Sequence, residues 1–572
     1  MNRRKFLVSL GAAAGTATLL QPQTKGKAFD VPSRKLYRRT LSSPFSNLQG
    51  EYDVVIVGSG YGGGITAARL AGRGKSVCVL ERGKEYRGGV NSDFPFKSDL
   101  ELSHGLNSPL APTGLYDVRH GKDLDVLVGC GLGGTSLINA NVMYLPEAAL
   151  FEGENWPAEI TRDALGPYYD RARGVLRAEP YGLPLPLKAQ LLKSAAGGVG
   201  EWKLVPIAVT TRDHPEGAST EMAGCVGCAS CVTGCNFSAK NTIDMTYLPL
   251  AQAAGAELFT RVRVQHVAPD SAGGRYVLHY EAHDEEGRKR HGQVKARVLV
   301  LSAGSLGSTE ILLRSRAEHN LEVSPALGSQ FSGNGDFLGF AYNTALDAGI
   351  ATGPTIVSSV ELWDSPDLGR HVILEEGAIP VGMLDPVAQL MAAFKGLQKS
   401  TAERSTKQKL EDWHRTTRDL LGFHKDGALS HSLCFLGMGH DSAGGRIVID
   451  KLFNHAVADY PHYAKEPCFQ HIDGAMEKIT TALGGVYLKN PMGNEILWQR
   501  LTTVHPLGGC AMDGRSGERV VNHYGEVHGN RNLFVMDGAI IPTAMGVNPA
   551  FTISALAERT AEHLQQRLTQ LG

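Results

Sequence analysis

The sequence has almost no net charge and no long apolar run outside its N-terminal region. It contains 57 basic and 58 acidic residues among 572, so no basic face is predicted and nucleic acid is not expected as a partner. A membrane-spanning helix needs ~20 apolar residues, and no later segment reaches that length without charges. Internal repeats and low-complexity tracts are also missing. The length predicts about two to four domains, or two intertwined ones.

The N-terminus has the pattern of a twin-arginine export signal. The string Asn2-Arg3-Arg4-Lys5-Phe6-Leu7 precedes a modest apolar stretch, Val8 to Leu20, that is rich in Ala, Gly and Thr. This stretch is too short to span a membrane. We therefore expect residues 1–28 to be a removable signal and the mature chain to be periplasmic or secreted, without a transmembrane anchor. A plain basic N-terminus is the alternative interpretation.

A glycine-rich turn near residue 58 is typical of a dinucleotide-binding site. Gly58, Gly60 and Gly63 follow the apolar run Val54 to Val57 and open a helical pattern rich in Ala and Leu. This order of strand, turn and helix lets backbone N–H groups approach a pyrophosphate. The next apolar run ends in Glu81, close to the offset at which a carboxylate meets the ribose hydroxyls. The motif alone does not separate NAD from FAD.

Further segments along the chain carry a family resemblance. They are Glu81-Arg82-Gly83, Val128 to Asn139, Tyr247-Leu248-Pro249, Ser302 to Glu310, His505 to Cys510, Val535 to Gly538 and Gly546 to Pro549. In this order they resemble segments of the glucose-methanol-choline (GMC) oxidoreductases, most closely the cholesterol oxidase branch. The resemblance covers most of residues 50–570 and is weakest where the substrate would lie. It implies FAD as the cofactor.

The resemblance also implies an α/β fold with two intertwined domains. A discontinuous, Rossmann-like FAD-binding domain is expected from residues 50–90, 225–330 and 505–572. A second, α+β substrate-binding domain with a large antiparallel sheet is expected from residues 91–224 and 331–504. The residues expected to contact FAD are Gly58, Gly60, Gly63, Glu81, Gly129, Gly133, Gly134, Ser136, Asn139, Val264, Gly304, Asp537, Gly538 and Pro549.

Three residues are predicted to be catalytic by the same resemblance. Oxidation of an alcohol needs a partner for the hydroxyl proton and a group that orients the substrate, and His505 and Asn548 would fill these roles. Glu375 would act as a base that moves a proton during double-bond isomerisation, as in cholesterol oxidases. This chain lacks the extra proline of the sterol pattern, so a shift of one residue would put Glu376 in that position. The alternative for Glu375 is a solvated or salt-bridged glutamate.

Four closely spaced cysteines have the spacing of a bacterial ferredoxin loop. Cys225, Cys228, Cys231 and Cys235 follow this pattern, with Asn236 in place of the usual proline. An iron–sulfur cluster, a zinc ion and two disulfides are all open interpretations. Zinc ribbons usually separate their cysteine pairs by ~15 to 20 residues, and an oxidising compartment favours disulfides. A cluster would lie near the flavin, because the segment that follows resembles one that leads back into the flavin domain.

These features together predict an exported FAD enzyme that oxidises the CH–OH group of an apolar alcohol, such as a sterol-like 3-hydroxyl, to a carbonyl. The hydride would pass to the flavin, and the electrons would then leave through the cysteine-bound cluster to an external acceptor protein. One alternative is a cholesterol oxidase-like enzyme that uses oxygen and gives hydrogen peroxide. A second is a flavin-dependent lyase or decarboxylase.

Overall fold

The computed structural model describes residues 40–570 apart from 89–93, 95–112, 213–221, 396–404 and 490–500 and the single positions 272, 285, 364, 366, 453 and 516. The predicted export signal at residues 1–28 lies outside the described residues. None of the helices in the described ranges combines the length and the apolarity that a membrane span requires.

The strands and helices are labelled in chain order. The strands are β1 (Glu51–Val57), β2 (Val77–Leu80), β3 (Tyr116–His120), β4 (Leu124–Gly129), β5 (Glu179–Pro180), β6 (Glu201–Leu204), β7 (Pro206–Ile207), β8 (Glu257–Phe259), β9 (Val262–Pro269), β10 (Tyr276–His283), β11 (Lys289–Leu301), β12 (Phe337–Tyr342), β13 (Ser358–Leu362), β14 (Val372–Gly377), β15 (Leu433–Gly439), β16 (Arg446–Asp450), β17 (His455–Asp459), β18 (Val486–Lys489), β19 (Leu501–Thr503) and β20 (Leu533–Val535). The α-helices are α1 (Tyr61–Leu70), α2 (Arg162–Leu176), α3 (Leu187–Ala195), α4 (Tyr247–Ala253), α5 (Gly304–His319), α6 (Leu384–Lys395), α7 (Thr406–Leu420), α8 (Cys468–Ala482) and α9 (Ala550–Gln570).

The first large sheet has seven strands in the order β8-β2-β1-β11-β10-β9, with β20 paired to the end of β11. β8, β2, β1, β20 and the second half of β11 run parallel, whereas β9 and β10 form an antiparallel meander. Val54 to Val57 of β1 are all buried, as expected for a central strand covered on both faces. Helix α1 packs against both α4 and α9 beside this sheet.

The second large sheet is antiparallel and has the strand order β18-β12-β15-β14-β13-β6. Helix α8 packs on it, and its core-facing residues, such as Ile472 and Met476, are buried. The two-sheet α/β architecture that the sequence predicts is therefore confirmed.

The parallel strands of the first sheet end at one edge. β1, β11 and β20 run into Gly58, Ser302 and Met536, respectively. The Ser302 amide donates to the Val57 carbonyl at 2.7 Å, and the Met536 amide donates to the Leu301 carbonyl at 2.8 Å. Ligands of open α/β sheets bind outside the carboxyl ends of the strands, so this edge is where a cofactor site is expected.

Candidate active site

The turn after β1 requires glycine. Gly58 has φ +94°, and a Cβ atom there would lie 2.2 Å from the Ser302 carbonyl oxygen. A Cβ on Gly63 would lie 2.0 Å from the Gly58 carbonyl oxygen. The chain therefore turns tightly from β1 into α1 and leaves the helix N-terminus open to an anion.

A second glycine segment lies against this turn. A Cβ on Gly134 would be 2.7 Å from the Gly60 Cα, so the two backbones are nearly in contact. The Gly133 amide donates to the Ser59 hydroxyl at 3.0 Å. Ser136 donates to the Gly133 carbonyl at 2.6 Å and accepts from the amide of Ile243. Ser136 thus holds the segment in place, and Gly129 begins it at the end of β4.

The acid at the end of β2 lies beside the same turn. Glu81 Oε2 accepts from the Ser59 hydroxyl at 2.7 Å and from the Ser59 amide at 3.1 Å, and Oε1 accepts from the Gly83 amide at 2.7 Å. An ionised carboxylate has about four lone-pair sites, so Glu81 still has acceptor capacity for a ribose hydroxyl.

Five further predicted cofactor residues lie at the start of α5, directly after β20, in β9 and directly before α9. Asp537 accepts from the amide of Gly304 at 2.9 Å and so ties the end of β20 and Gly538 to the start of α5. Burial raises the pKa of Asp537 to about 6. Val264 is a buried residue of β9, and Pro549 is a buried residue directly before α9.

Asn139 closes the predicted flavin-contacting segment. Its amide nitrogen donates to the Tyr61 hydroxyl at 2.8 Å, whereas its buried Oδ1 has no hydrogen-bond partner among the described residues. The chemistry of this site fits FAD. It combines closely approaching glycine backbones, the N-terminus of α1, the carboxylate of Glu81 and the buried Asn139 Oδ1 that has no partner among the described residues.

The predicted catalytic histidine is held by a carboxylate that the sequence analysis did not single out. His505 Nδ1 lies 2.8 Å from Asp336 Oδ1, and the other oxygen of Asp336 accepts from the amides of Val504 and His505 at 2.8 and 3.1 Å. Asp336 is 1% exposed. A buried acceptor on Nδ1 keeps the proton on that nitrogen and leaves Nε2 as the basic atom.

One short segment supports both predicted catalytic residues. Ser332 pairs with Leu507 through two backbone hydrogen bonds of 3.0 Å, which fixes the chain beside His505. Two residues later, Asn334 Oδ1 accepts from the amides of Met545 and Gly546, and its Nδ2 donates to the Val547 carbonyl at 3.0 Å. The segment from Ser332 to Asp336 therefore brings the loop before Asn548 and the histidine loop together.

Glu375 is the third member of this group. The Asn548 side-chain nitrogen donates to Glu375 Oε2 at 3.3 Å, and both Asn548 Oδ1 and Glu375 Oε1 are buried without a partner among the described residues. Burial raises the pKa of Glu375 to about 8, the Asn548 hydrogen bond opposes this shift, and the charges of Glu376 and Asp336 add to it. Glu376 lies elsewhere and is paired with the buried Lys188 at 3.1 Å.

We expect the raised pKa of Glu375 to be measurable as a pH-dependent stability. The folded state disfavours the ionised carboxyl, so stability is lost as the pH rises from about 4.5, the ordinary value of a glutamate, to about 8. The loss should be on the order of a few kcal/mol and should vanish in Glu375→Gln.

Denaturant unfolding at pH 5 and pH 8.5 tests this prediction. The matched control is Glu201→Gln, because Glu201 lies in β6 of the same sheet with its side chain 72% exposed. The free energy of unfolding of Glu201→Gln should change with pH as much as that of the wild type. If the free energy of unfolding of Glu375→Gln fell with pH as much as that of the wild type, Glu375 would ionise normally in the folded protein.

The four clustered cysteines line one small cavity together with Lys240. No three of their sulfur atoms lie within 4.8 Å of one another, although all four residues are described. A tetrahedral zinc ion with Zn–S bonds of about 2.3 Å places its sulfurs roughly 3.8 Å apart. The four sulfur atoms are therefore not arranged as a closed tetrahedral zinc site.

The cysteine loop contacts the predicted flavin-binding segment through one buried ammonium group. Lys240 Nζ donates to the Asn139 carbonyl at 2.7 Å and to the Cys231 carbonyl at 2.9 Å. The Tyr116 hydroxyl, at the start of β3, also donates to the Val232 carbonyl of the cysteine loop at 3.0 Å, and Tyr116 pairs with Gly129 of β4. The cavity between the thiols is thus adjacent to the segment that includes Gly133 and Ser136.

Two family models match this chain, both described as GMC oxidoreductase. The N-terminal one matches residues 52–332 and the C-terminal one matches residues 487–557, so together they cover more than half of the sequence. The chain belongs to the GMC oxidoreductase family. Members of this family bind FAD, which agrees with the site at the edge of the first sheet.

Relatives of this GMC oxidoreductase extend over nearly its whole length. A cholesterol oxidase from Acinetobacter baumannii is 25% identical and covers 91% of this chain and 95% of its own. A cholesterol oxidase from Mycobacterium tuberculosis is 28% identical and covers 90% of this chain and 91% of its own. The solved structure of a pyridoxine 4-oxidase from Mesorbium loti has a TM-score of 0.58 at 16% identity, covers 90% of this chain and 99% of its own, and shows the fold alone.

Sequence reasoning on this GMC oxidoreductase missed three residues of the site. Asp336 and Asn334 lie in the glycine-rich string Ser332-Gly333-Asn334-Gly335-Asp336, in which Asn334 has φ +60°. Polar residues between glycines are a signal that could have identified this segment. Lys240 gave no such signal, because its role depends on two carbonyls that are far apart in sequence.

Proposed function

We propose that this enzyme oxidises the CH–OH group of an apolar alcohol, such as a sterol-like 3-hydroxyl, to a carbonyl. The observation that carries the proposal is the His505 imidazole, fixed by the buried Asp336 and supported with Asn548 by one segment. Two relatives named as cholesterol oxidases, matched over nearly the full length, support a bulky apolar substrate.

His505 provides the base for this reaction. Because Nδ1–H donates a hydrogen bond to Asp336, Nε2 is free to take the proton of the substrate hydroxyl as the carbon loses its hydride. Bound FAD would supply the hydride acceptor. Asn548 Oδ1, which is buried and without a partner among the described residues, is available to orient the substrate.

Glu375 gives the site a second proton carrier. Its pKa of about 8 keeps it neutral near neutral pH, so its carboxyl group can donate as well as accept a proton. This property supports the predicted isomerisation of a double bond next to the new carbonyl. A neutral carboxyl group also adds no charge to a site that takes an apolar substrate.

The electron acceptor is proposed to be an external protein reached through an iron–sulfur cluster on Cys225, Cys228, Cys231 and Cys235. The ferredoxin-like sequence spacing of the four cysteines and the Lys240 link to Asn139 support this role. A cluster held there would carry electrons away from the flavin site. Export by the twin-arginine route, which carries folded proteins, would suit an enzyme that is loaded with both groups before it leaves the cytoplasm.

Two other functions remain as outcomes of the test. An oxidase of the cholesterol oxidase type would pass its electrons to oxygen and give hydrogen peroxide. A flavin-dependent lyase or decarboxylase would turn over its substrate without net oxidation. The fixed imidazole of His505 favours alcohol oxidation over the lyase.

Anaerobic mixing with a panel of sterols and long-chain and short-chain alcohols tests the proposal. We expect a bulky apolar alcohol to bleach the flavin absorbance and a carbonyl product to appear in equal amount. Iron and sulfide analysis of the same anaerobic sample should show a cluster. Cleavage of a substrate without bleaching of the flavin would contradict alcohol oxidation. Stoichiometric hydrogen peroxide from a protein without iron would contradict only the proposed electron acceptor.

A further inference from the structure

Three histidines from different elements meet at the β9–β10 meander of the first sheet. His266 of β9 and His279 of β10 are directly paired across the two strands, next to a register shift. His319 is the last residue of α5, which packs against β9. The ring centroid of His319 lies 4.3 Å from that of His266 and 5.2 Å from that of His279.

One ring nitrogen from each histidine lies within 4.8 Å of the corresponding nitrogens of the other two. Zinc–imidazole bonds of about 2.0 to 2.1 Å place tetrahedral nitrogens roughly 3.3 Å apart, so shifts of about an ångström would close the site. We propose that His266, His279 and His319 bind a divalent transition metal, with Zn²⁺ as the first candidate.

The surroundings of the rings match those of metal-binding histidines. Such histidines almost always donate their second ring N–H to a carboxylate, a carbonyl or water. His266 Nδ1 lies 3.1 Å from Glu318 Oε2, and His279 Nδ1 lies 3.3 Å from the side-chain amide of Gln293. Rotation of this amide would present its oxygen to His279. These contacts leave Nε2 of both rings as the ligand atom.

His319 provides an independent observation. Its Nε2 is buried and has no hydrogen-bond partner among the described residues. A buried polar atom without a partner is costly unless a ligand or water satisfies it. Three imidazoles would leave one tetrahedral position for water, as in other sites with three histidine ligands.

The charges around the group are compatible with a cation. Glu318 contributes one negative charge beside His266. The guanidinium of Arg314 is directed to Glu310 at 3.0 Å, a carboxylate that it shares with Arg119 and Arg263. Burial, followed by the neighbouring imidazoles, lowers the pKa of His266, and burial lowers that of His279. Neutral imidazoles are the form that binds metal.

The metal would act on stability rather than on the alcohol. Helix α5 starts at the cofactor edge with Gly304 and reaches His319 after 15 steps, which corresponds to about 22 Å. A metal at its end would join the helix to the β9–β10 meander. Binding to the folded state alone raises the stability with metal concentration.

Calorimetric titration of the FAD-loaded enzyme with Zn²⁺ tests this site. We expect one equivalent to bind to the wild type and to His291→Gln, because His291 is an exposed residue of β11 in the same sheet. Binding should weaken at least tenfold in His279→Gln and in His319→Gln. Zinc should also raise the melting temperature of the wild type and of His291→Gln, but not that of the other two variants.

The clustered cysteines are a competing zinc site, and Cys228→Ser separates the two. If the histidines bind the metal, this variant keeps the zinc-dependent rise in melting temperature. Absence of binding in the wild type would overturn the proposal. So would binding that survives both histidine substitutions or is lost in Cys228→Ser.

Discussion

Replacing His505 with Gln should lower the rate of flavin reduction by alcohol roughly 10²- to 10⁴-fold, the range that a positioned general base contributes. Glutamine can still accept a hydrogen bond from the substrate hydroxyl but cannot take its proton. Asp336→Asn should cause a smaller loss, because the imidazole remains while its Nδ1 loses the carboxylate acceptor at 2.8 Å. Stopped-flow measurement of flavin bleaching without oxygen gives both rates.

The chain offers a matched control for this pair. His528 Nε2 lies 2.8 Å from Asp513 Oδ1, so it forms a second histidine–aspartate pair on a different segment. His528→Gln should leave flavin reduction within about twofold of the wild type. FAD content and melting temperature show whether each variant is folded. A folded, FAD-loaded His505→Gln that reduces its flavin at the wild-type rate would show that the base lies elsewhere.

The parts of the fold that sequence predicts are those in which the signal is local. Gly58 follows an apolar strand and precedes a helix, and steric contact with Ser302 explains why no other residue fits there. The fixed order of strand, turn, helix and acid requires no knowledge of distant residues. Asp336 is different, because it lies 169 residues before His505 and contacts it only in the folded chain.

The choice between Glu375 and Glu376 shows why the rest of the site could not be predicted. The two residues are consecutive in β14, so their side chains point to opposite faces of the sheet. On one face Glu375 contacts Asn548, and on the other face Glu376 contacts Lys188. A shift of one residue in register would exchange them, and sequence spacing does not fix that register. The pairing of Glu375 with Ser359 and Leu436 decides the question.

The histidine group illustrates the same limit. The cross-strand pairing of His266 with His279 depends on the register of β9 and β10, and His319 joins them only because α5 packs on β9. No spacing in the sequence indicates this meeting. By contrast, the cysteine motif is visible in eleven consecutive residues, and the structure adds only its position beside Asn139.

Substitution of Cys228 by Ser should separate the two halves of the catalytic cycle. If the four cysteines hold the proposed iron–sulfur cluster, removing one thiolate should cost the protein most of its iron, because serine is a poor ligand for such a cluster. Reduction of an external acceptor should then fall by at least 10²-fold. Flavin reduction by alcohol should stay within about threefold, because Cys228 lies on a different segment from His505, Asn548 and Glu375, the residues proposed to act on the alcohol.

Cys434→Ser is the control for the loss of a thiol as such. Cys434 lies in β15 of the second sheet, outside the ferredoxin-like motif, and its loss should change neither the iron content nor acceptor reduction. The comparison isolates the cluster, because flavin reduction and acceptor reduction are measured on the same protein. If Cys228→Ser reduced the acceptor as fast as the wild type, electrons would leave the flavin directly. The cysteine loop, held to the Asn139 carbonyl by Lys240, would then have a structural role.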